Sequence, residues 1–139
     1  MLVKEIMTRD VKIATPEMNL ITVATLMRES DCGSIPVTRG DTDQEPVGII
    51  TDRDIVIRAV ADGVDLDEAL VGEYMTASAV TVSPEDSLEE CLETMEMEKI
   101  KRVVVVDRNR KCIGIVSQAQ IARNVPEVLA GELLQEMSR

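Results

Sequence analysis

The chain has 139 residues, 45% of them hydrophobic, and a formal net charge of −11. That is enough for one compact domain or two small intimate ones, and the charge disfavours nucleic acid or an anionic membrane as a partner. Histidine, the commonest general base and metal ligand, is absent, and no apolar run approaches the roughly 18 residues of a membrane span.

Met1 to Glu5 carry neither the apolar stretch nor the cleavage pattern of a signal peptide, so a cytoplasmic location is expected. Val11 to Ala14 reads as a short strand stopped by Pro16. Asn19 is the expected cap of a helix whose apolar face is Leu20, Val23, Ala24 and Met27. Ser34 to Val37 forms a second strand, residues 39–45 a loop and Val47 to Ile50 a third strand, and a helix starts at Thr51. Residues 63–71 link this unit to the next.

The same order then returns. Ala79 to Val82 is a strand, and Ser87 with Glu90 forms a capping box for a helix that turns Leu88, Cys91, Leu92 and Met95 to one side. Arg102 to Val106 and Ile113 to Val116 are strands around the loop 107–111, and a helix starts at Ser117. An amphipathic helix is expected over residues 126–139, with Leu129, Leu133 and Met137 four apart.

The repetition is literal in places. Met7-Thr8 recurs as Met75-Thr76 and Thr15-Pro16 as Ser83-Pro84, each 68 positions on (75 − 7, 83 − 15). Val47-Gly48-Ile49-Ile50-Thr51 returns as Ile113-Gly114-Ile115-Val116-Ser117, 66 positions on (113 − 47). A tandem duplication fills most of the chain. The predicted fold is α+β: two tandem β-α-β-β-α repeats, residues 3–62 and 72–125, packed about a pseudo-twofold axis.

The sharpest local signal is Gly48-Ile49-Ile50-Thr51-Asp52-Arg53-Asp54, where a buried strand runs into a helix N-terminus. Such an end suits a phosphate or a hydroxyl-rich sugar. Thr51 with Asp54, and Ser117 with Gln120, also read simply as helix caps. Both readings stand at this stage.

These residues, in their order and duplicated, resemble the CBS domain, and the tandem resembles a CBS pair, or Bateman module. The resemblance runs from about Val3 to Val125 and implies a non-catalytic regulatory module that binds an adenosine-type ligand in clefts between the copies. Binding would shift the copies or protomers, and a partner protein would read the shift. The ligand expected is AMP, ADP or ATP, with S-adenosylmethionine or NAD as alternatives.

The resemblance makes Asp54 the ribose-binding residue, with Thr51 near the ribose or phosphate. It builds the adenine pocket from the other copy and puts Lys101 and Arg102 where phosphate is met. The expected nucleotide-binding residues are therefore Thr51, Arg53, Asp54, Thr76, Ala79, Lys101, Arg102 and Val103. A weaker second cleft would use Gly33, Ser34, Ile35, Ser117 and Gln120. Gln120 stands there in place of the aspartate, and no cation joins it. Members of the family usually dimerise through their helices, so a homodimer is expected.

Other signals point to bland roles. Asp41, Asp43 and Glu45 alternate like a calcium loop, but Pro46 stands where such a loop needs Gly. The eight Met residues read as core filler, and Cys32, Cys91 and Cys112 as small buried hydrophobes. The acidic residues from Glu89 to Glu98 read as a solvated helix face. No nucleophile–base motif supports an enzyme, and no metal site is expected. The alternative to a ligand sensor is a structural dimerisation module with vestigial clefts.

Overall fold

The computed structural model describes residues 1–78 and 80–124. Ala79 and the helix expected over 126–139 lie outside them. In chain order the elements are α1 (Val3–Ile6), α2 (Leu20–Ser30), β1 (Ser34–Thr38), β2 (Pro46–Thr51), and α3 (Asp52–Asp54), which is continued by a π-helical stretch (Ile55–Val60). Then come α4 (Val71–Tyr74), β3 (Thr76–Ala77), β4 (Thr81–Val82), α5 (Leu88–Glu98), β5 (Arg102–Val106), β6 (Cys112–Ser117) and α6 (Gln118–Ala122).

Two glycines show how the copies are laid down. A Cβ on Gly48 would lie 2.5 Å from the Thr76 carbonyl oxygen, and one on Gly114 would lie 2.8 Å from that of Thr8. Only glycine lets another backbone come so near. The segments that approach come from the opposite copy. Thr76 and Ala77 pair antiparallel with Ile49 and Gly48, and Thr8 bridges Ile115. Each copy's opening Met-Thr thus joins the other copy's sheet.

The chain divides into two spatial units accordingly. The first comprises residues 11–78 and 110–112, and the second residues 1–10, 80–109 and 113–124. Each mixes helix with a three-stranded sheet, β1-β2-β3 in the first and β4-β5-β6 in the second. The two cores are mixed in origin too. Val3 and Met7, 0% and 8% exposed, pack with Leu88, Leu92 and Met95 in the second unit. Ala69 and Val71 pack with Leu20, Val23 and Ile50 in the first. Burying a side chain such as Val3 or Val71 contributes about 1.5–3 kcal/mol, so these exchanged segments are firmly held.

The caps form as the sequence implies. Asn19 accepts from the Thr22 N–H at 2.8 Å, and Ser87 accepts from the Glu90 N–H at 3.1 Å. The α5 face of Leu88, Cys91, Leu92 and Met95 is buried throughout, and Glu89, Glu90, Glu93, Glu96 and Glu98 are exposed.

Three local expectations need correction. Ala24 is exposed, and Leu26 packs on the core from the other flank of α2. The strand expected over 11–14 shrinks to one parallel bridge, Ala14 to Val37. The second copy keeps two pairs, Thr81 with Val104 and Val82 with Val105. Val104 corresponds to Pro36 (104 − 68), which has no N–H for the ladder. Finally, Cys32 is exposed, because it lies in the turn after the left-handed Asp31 that ends α2; Cys91 and Cys112 are buried. Among the described residues no helix is long and apolar enough to cross a membrane.

Candidate ligand-binding site

In the first unit, β2 ends at Thr51 and the chain turns directly into α3. Thr51 Oγ1 accepts from the Asp54 N–H at 3.0 Å, and Asp54 Oδ2 accepts from the Thr51 N–H at 3.0 Å. The cap reading is therefore correct in both directions. It uses only one carboxylate oxygen, because Asp54 Oδ1 accepts no hydrogen bond from the described residues. Asp54 is half-buried and Arg53 is exposed. Thr76, exposed on β3, is held opposite Ile49, and its hydroxyl has no hydrogen-bond partner among the described residues.

The second unit repeats the cap with a different outcome. Gln120 Oε1 accepts from the Ser117 N–H at 2.8 Å, and Ser117 Oγ accepts from the Gln120 N–H at 3.2 Å. The other end of the amide is occupied as well. Gln120 Nε2 donates to Thr8 Oγ1 at 2.9 Å and to the Ile6 carbonyl at 3.3 Å. Thr8 is the counterpart of Thr76 (76 − 68), and Gln120 of Asp54 (120 − 66). So the second unit ties together, through an amide donor, two positions that the first leaves open. A carboxylate cannot replace that donor.

The remaining expected residues divide between the units. Gly33, Ser34 and Ile35 lie in the same unit as Thr51, Arg53, Asp54 and Thr76. Lys101, Arg102 and Val103 lie in the unit of Ser117 and Gln120. Ile35 and Val103 are 0% and 1% exposed, backbone included, and sit in the cores of their units. A Cβ on Gly33 would sit 2.8 Å from Asp52 Oδ2, and the Asp52 N–H donates to the Gly33 carbonyl at 2.9 Å. The matching bond in the second unit runs from the Gln118 N–H to the Lys101 carbonyl, also at 2.9 Å. Lys101 and Arg102 are exposed and form no ion pair among the described residues, although the chain is strongly acidic. Two such cations suit an anion.

Sequence reasoning missed Thr8, Arg58 and Gln118. Thr8 was legible as the repeat of Thr76. Arg58, which donates to the Tyr74 carbonyl at 2.8 Å, has no matching arginine in the other copy. Gln118 is buried, its Oε1 without a hydrogen-bond partner among the described residues; nothing in its pattern distinguishes it from a surface glutamine at the start of a helix. Among the described residues, no group of three His, Cys, Asp or Glu is placed to hold a metal ion.

The chain is similar to known proteins along most of its length. It is 39% identical over 124 residues to Hypoxic response protein 1 of Mycobacterium tuberculosis, covering 89% of this chain and 85% of that protein. A crystal structure of Hypoxic Response Protein I with two coordinated zinc ions matches with a TM-score of 0.75 and 36% identity, over 91% of this chain and 100% of that one. The CBS domain protein PAE2072 from Pyrobaculum aerophilum, complexed with AMP, matches with a TM-score of 0.78 and 26% identity, over 97% and 99% of the two chains. The CBS domain family model matches residues 3–60 and again 71–127. With that double match, the exchanged Met-Thr segments and the two capped strand–helix turns, the chain belongs to the CBS domain family as a tandem pair.

Proposed function

We propose that this CBS pair is a non-catalytic regulatory module that binds an adenine nucleotide on Asp54. The observation that carries the reading is the difference between the two caps. Asp54 has a carboxylate oxygen to spare, and Thr76 a hydroxyl, whereas Gln120 spends both ends of its amide on its own unit. A carboxylate is a strong acceptor for the paired hydroxyls of a ribose. The AMP held by the Pyrobaculum protein makes AMP the first ligand to try. AMP, ADP or ATP is the expected class, and S-adenosylmethionine and NAD are the competitors to test beside them.

In this reading the chain works in the cytoplasm as a homodimer joined through helices. Support for the dimer comes from Val56, Ile57 and Val60, which are 57%, 52% and 51% exposed on consecutive turns after α3. That face is also what favours the second reading, a dimerisation module with empty clefts. Small-molecule mass spectrometry on the heat-denatured protein, together with melting curves in the five ligands, separates the two. Ligand at a hundredfold excess over its Kd stabilises by about 2.7 kcal/mol. A melting temperature unmoved by all five leaves the dimerisation module as the reading.

A further inference from the structure

We propose that Arg58 is a positioning residue for the Asp54 site, a role that rests on the reading of that site given above. The argument comes from matched positions in the two units. Ile6 and Tyr74 are counterparts (74 − 68 = 6) and close α1 and α4. The last carbonyls of a helix lack intrahelical partners, and the two units satisfy this one differently. The Ile6 carbonyl accepts from Gln120 Nε2 at 3.3 Å. The Tyr74 carbonyl accepts from Arg58 Nη1 at 2.8 Å, and the same nitrogen lies 3.3 Å from the Met75 carbonyl.

The tether has therefore moved off the binding position. In the second unit the residue at that position holds the incoming Met-Thr segment itself, and it is consumed in doing so. In the first unit the tether comes from four residues further on (58 − 54), and Asp54 keeps an oxygen for a ligand. Asp54 could not do the work of Gln120, because an ionised carboxylate has no proton to give a carbonyl. Nor is β3 self-supporting: it is two residues long, paired at Gly48 with Ala77 and at Ile49 with Thr76.

The backbone around Arg58 fits this task. Arg58 lies in the π-helical stretch Ile55–Val60, which closes with a bond from the Ala61 N–H to the Val56 carbonyl, five residues back. The wider turn rotates the side chains that follow it. The counterpart of Arg58 in the second unit is Asn124 (58 + 66), whose short amide bonds back to the Gln120 carbonyl at 2.8 Å. Arg58 thus sets Thr76 beside β2 without touching the ligand.

The test is calorimetric titration of AMP into the full chain and its variants, with melting curves in the absence of AMP. The wild type binds one AMP per chain, and Asp54→Asn weakens it. Arg58→Met, which removes both donors, raises the Kd about tenfold, the size of one hydrogen bond from a charged group. Arg58→Lys keeps a cationic donor and stays within about threefold of wild type. If Arg58→Met does not fold, Arg58→Gln takes its place with a loss between the two. An Arg58→Met protein that binds AMP as wild type does, while Asp54→Asn does not, overturns the positioning role and leaves the site standing. Equal losses in Arg58→Met and Arg58→Lys also overturn it, since the donor would then be irrelevant. Failure of the wild type to bind AMP, or equal binding by Asp54→Asn, removes the site and the tether together.

Discussion

Asp54→Asn separates the two jobs that Asp54 holds. One carboxylate oxygen caps α3 by accepting from the Thr51 N–H at 3.0 Å. An asparagine oxygen can still accept that bond, and Thr51 Oγ1 still accepts from residue 54, so little of the cap is lost. Stability should fall by less than about 1 kcal/mol, the usual range for a weakened cap. The other oxygen becomes an NH2 group, which changes an acceptor into a donor and removes the charge. A hydrogen bond to a charged group contributes roughly 1.5–3 kcal/mol, so AMP affinity should fall about 10- to 100-fold. Thr51→Val gives the converse. It deletes the acceptor for the Asp54 N–H and should cost about 1 kcal/mol of stability, with the carboxylate still in place. The assays are AMP calorimetry and thermal denaturation without ligand. If Asp54→Asn destabilises the fold by as much as Thr51→Val does and binds AMP as tightly as wild type, Asp54 is a cap and nothing more.

Four further outcomes follow from other contacts. Gln120→Ala loses the bonds to Thr8, Ile6 and Ser117 and should cost about 1–3 kcal/mol by denaturant melts, while AMP stoichiometry stays at one; a stoichiometry that drops from two to one would place a ligand on Gln120. Gly48→Ala drives a Cβ to within 2.5 Å of the Thr76 carbonyl and should cost about 1–3 kcal/mol, measured the same way. Ile57→Glu should turn a dimer into a monomer in light scattering, and a variant that remains dimeric removes that face from the interface. Under native conditions at pH 7 a thiol reagent should label Cys32 quickly and leave Cys91 unlabelled, since burial, aided by the charge of Asp86, pushes the Cys91 thiol from 9.0 up to about 11. The folded state then holds that proton more tightly than the unfolded one, so its contribution to stability is full below pH 9 and lost as pH rises towards 11.

What could be read in the residues was local. The α5 face and the Asn19, Ser87 and Ser117 caps depend on neighbours three or four positions away, and all of them form. The exchange of the Met-Thr segments is a different kind of fact. Thr8 meets Ile115, 107 positions later (115 − 8), and no periodicity names that partner. A trace was present, however. Gly48 and Gly114 sit in the middle of β-branched strands, where glycine is a poor choice unless another backbone passes close by. Pro36 carried a similar trace of the shortened first strand.

The site shows why a motif alone stops short of a function. Thr51-x-x-Asp54 and Ser117-x-x-Gln120 make the same pair of cap bonds with nearly the same lengths. Capping therefore cannot distinguish the copies, and a search for caps finds both. The distinction lies in the atom each cap leaves over: a second acceptor on Asp54, a donor on Gln120. What that atom meets is decided by Thr8 and Ile6 in one unit, and by Arg58 in the other, where the matching carbonyl has already been satisfied from elsewhere. A ligand-ready position thus depends as much on a residue that relieves it of structural work as on the binding residue itself. On the proposal above, that residue is Arg58, at a position where the other copy has Asn124.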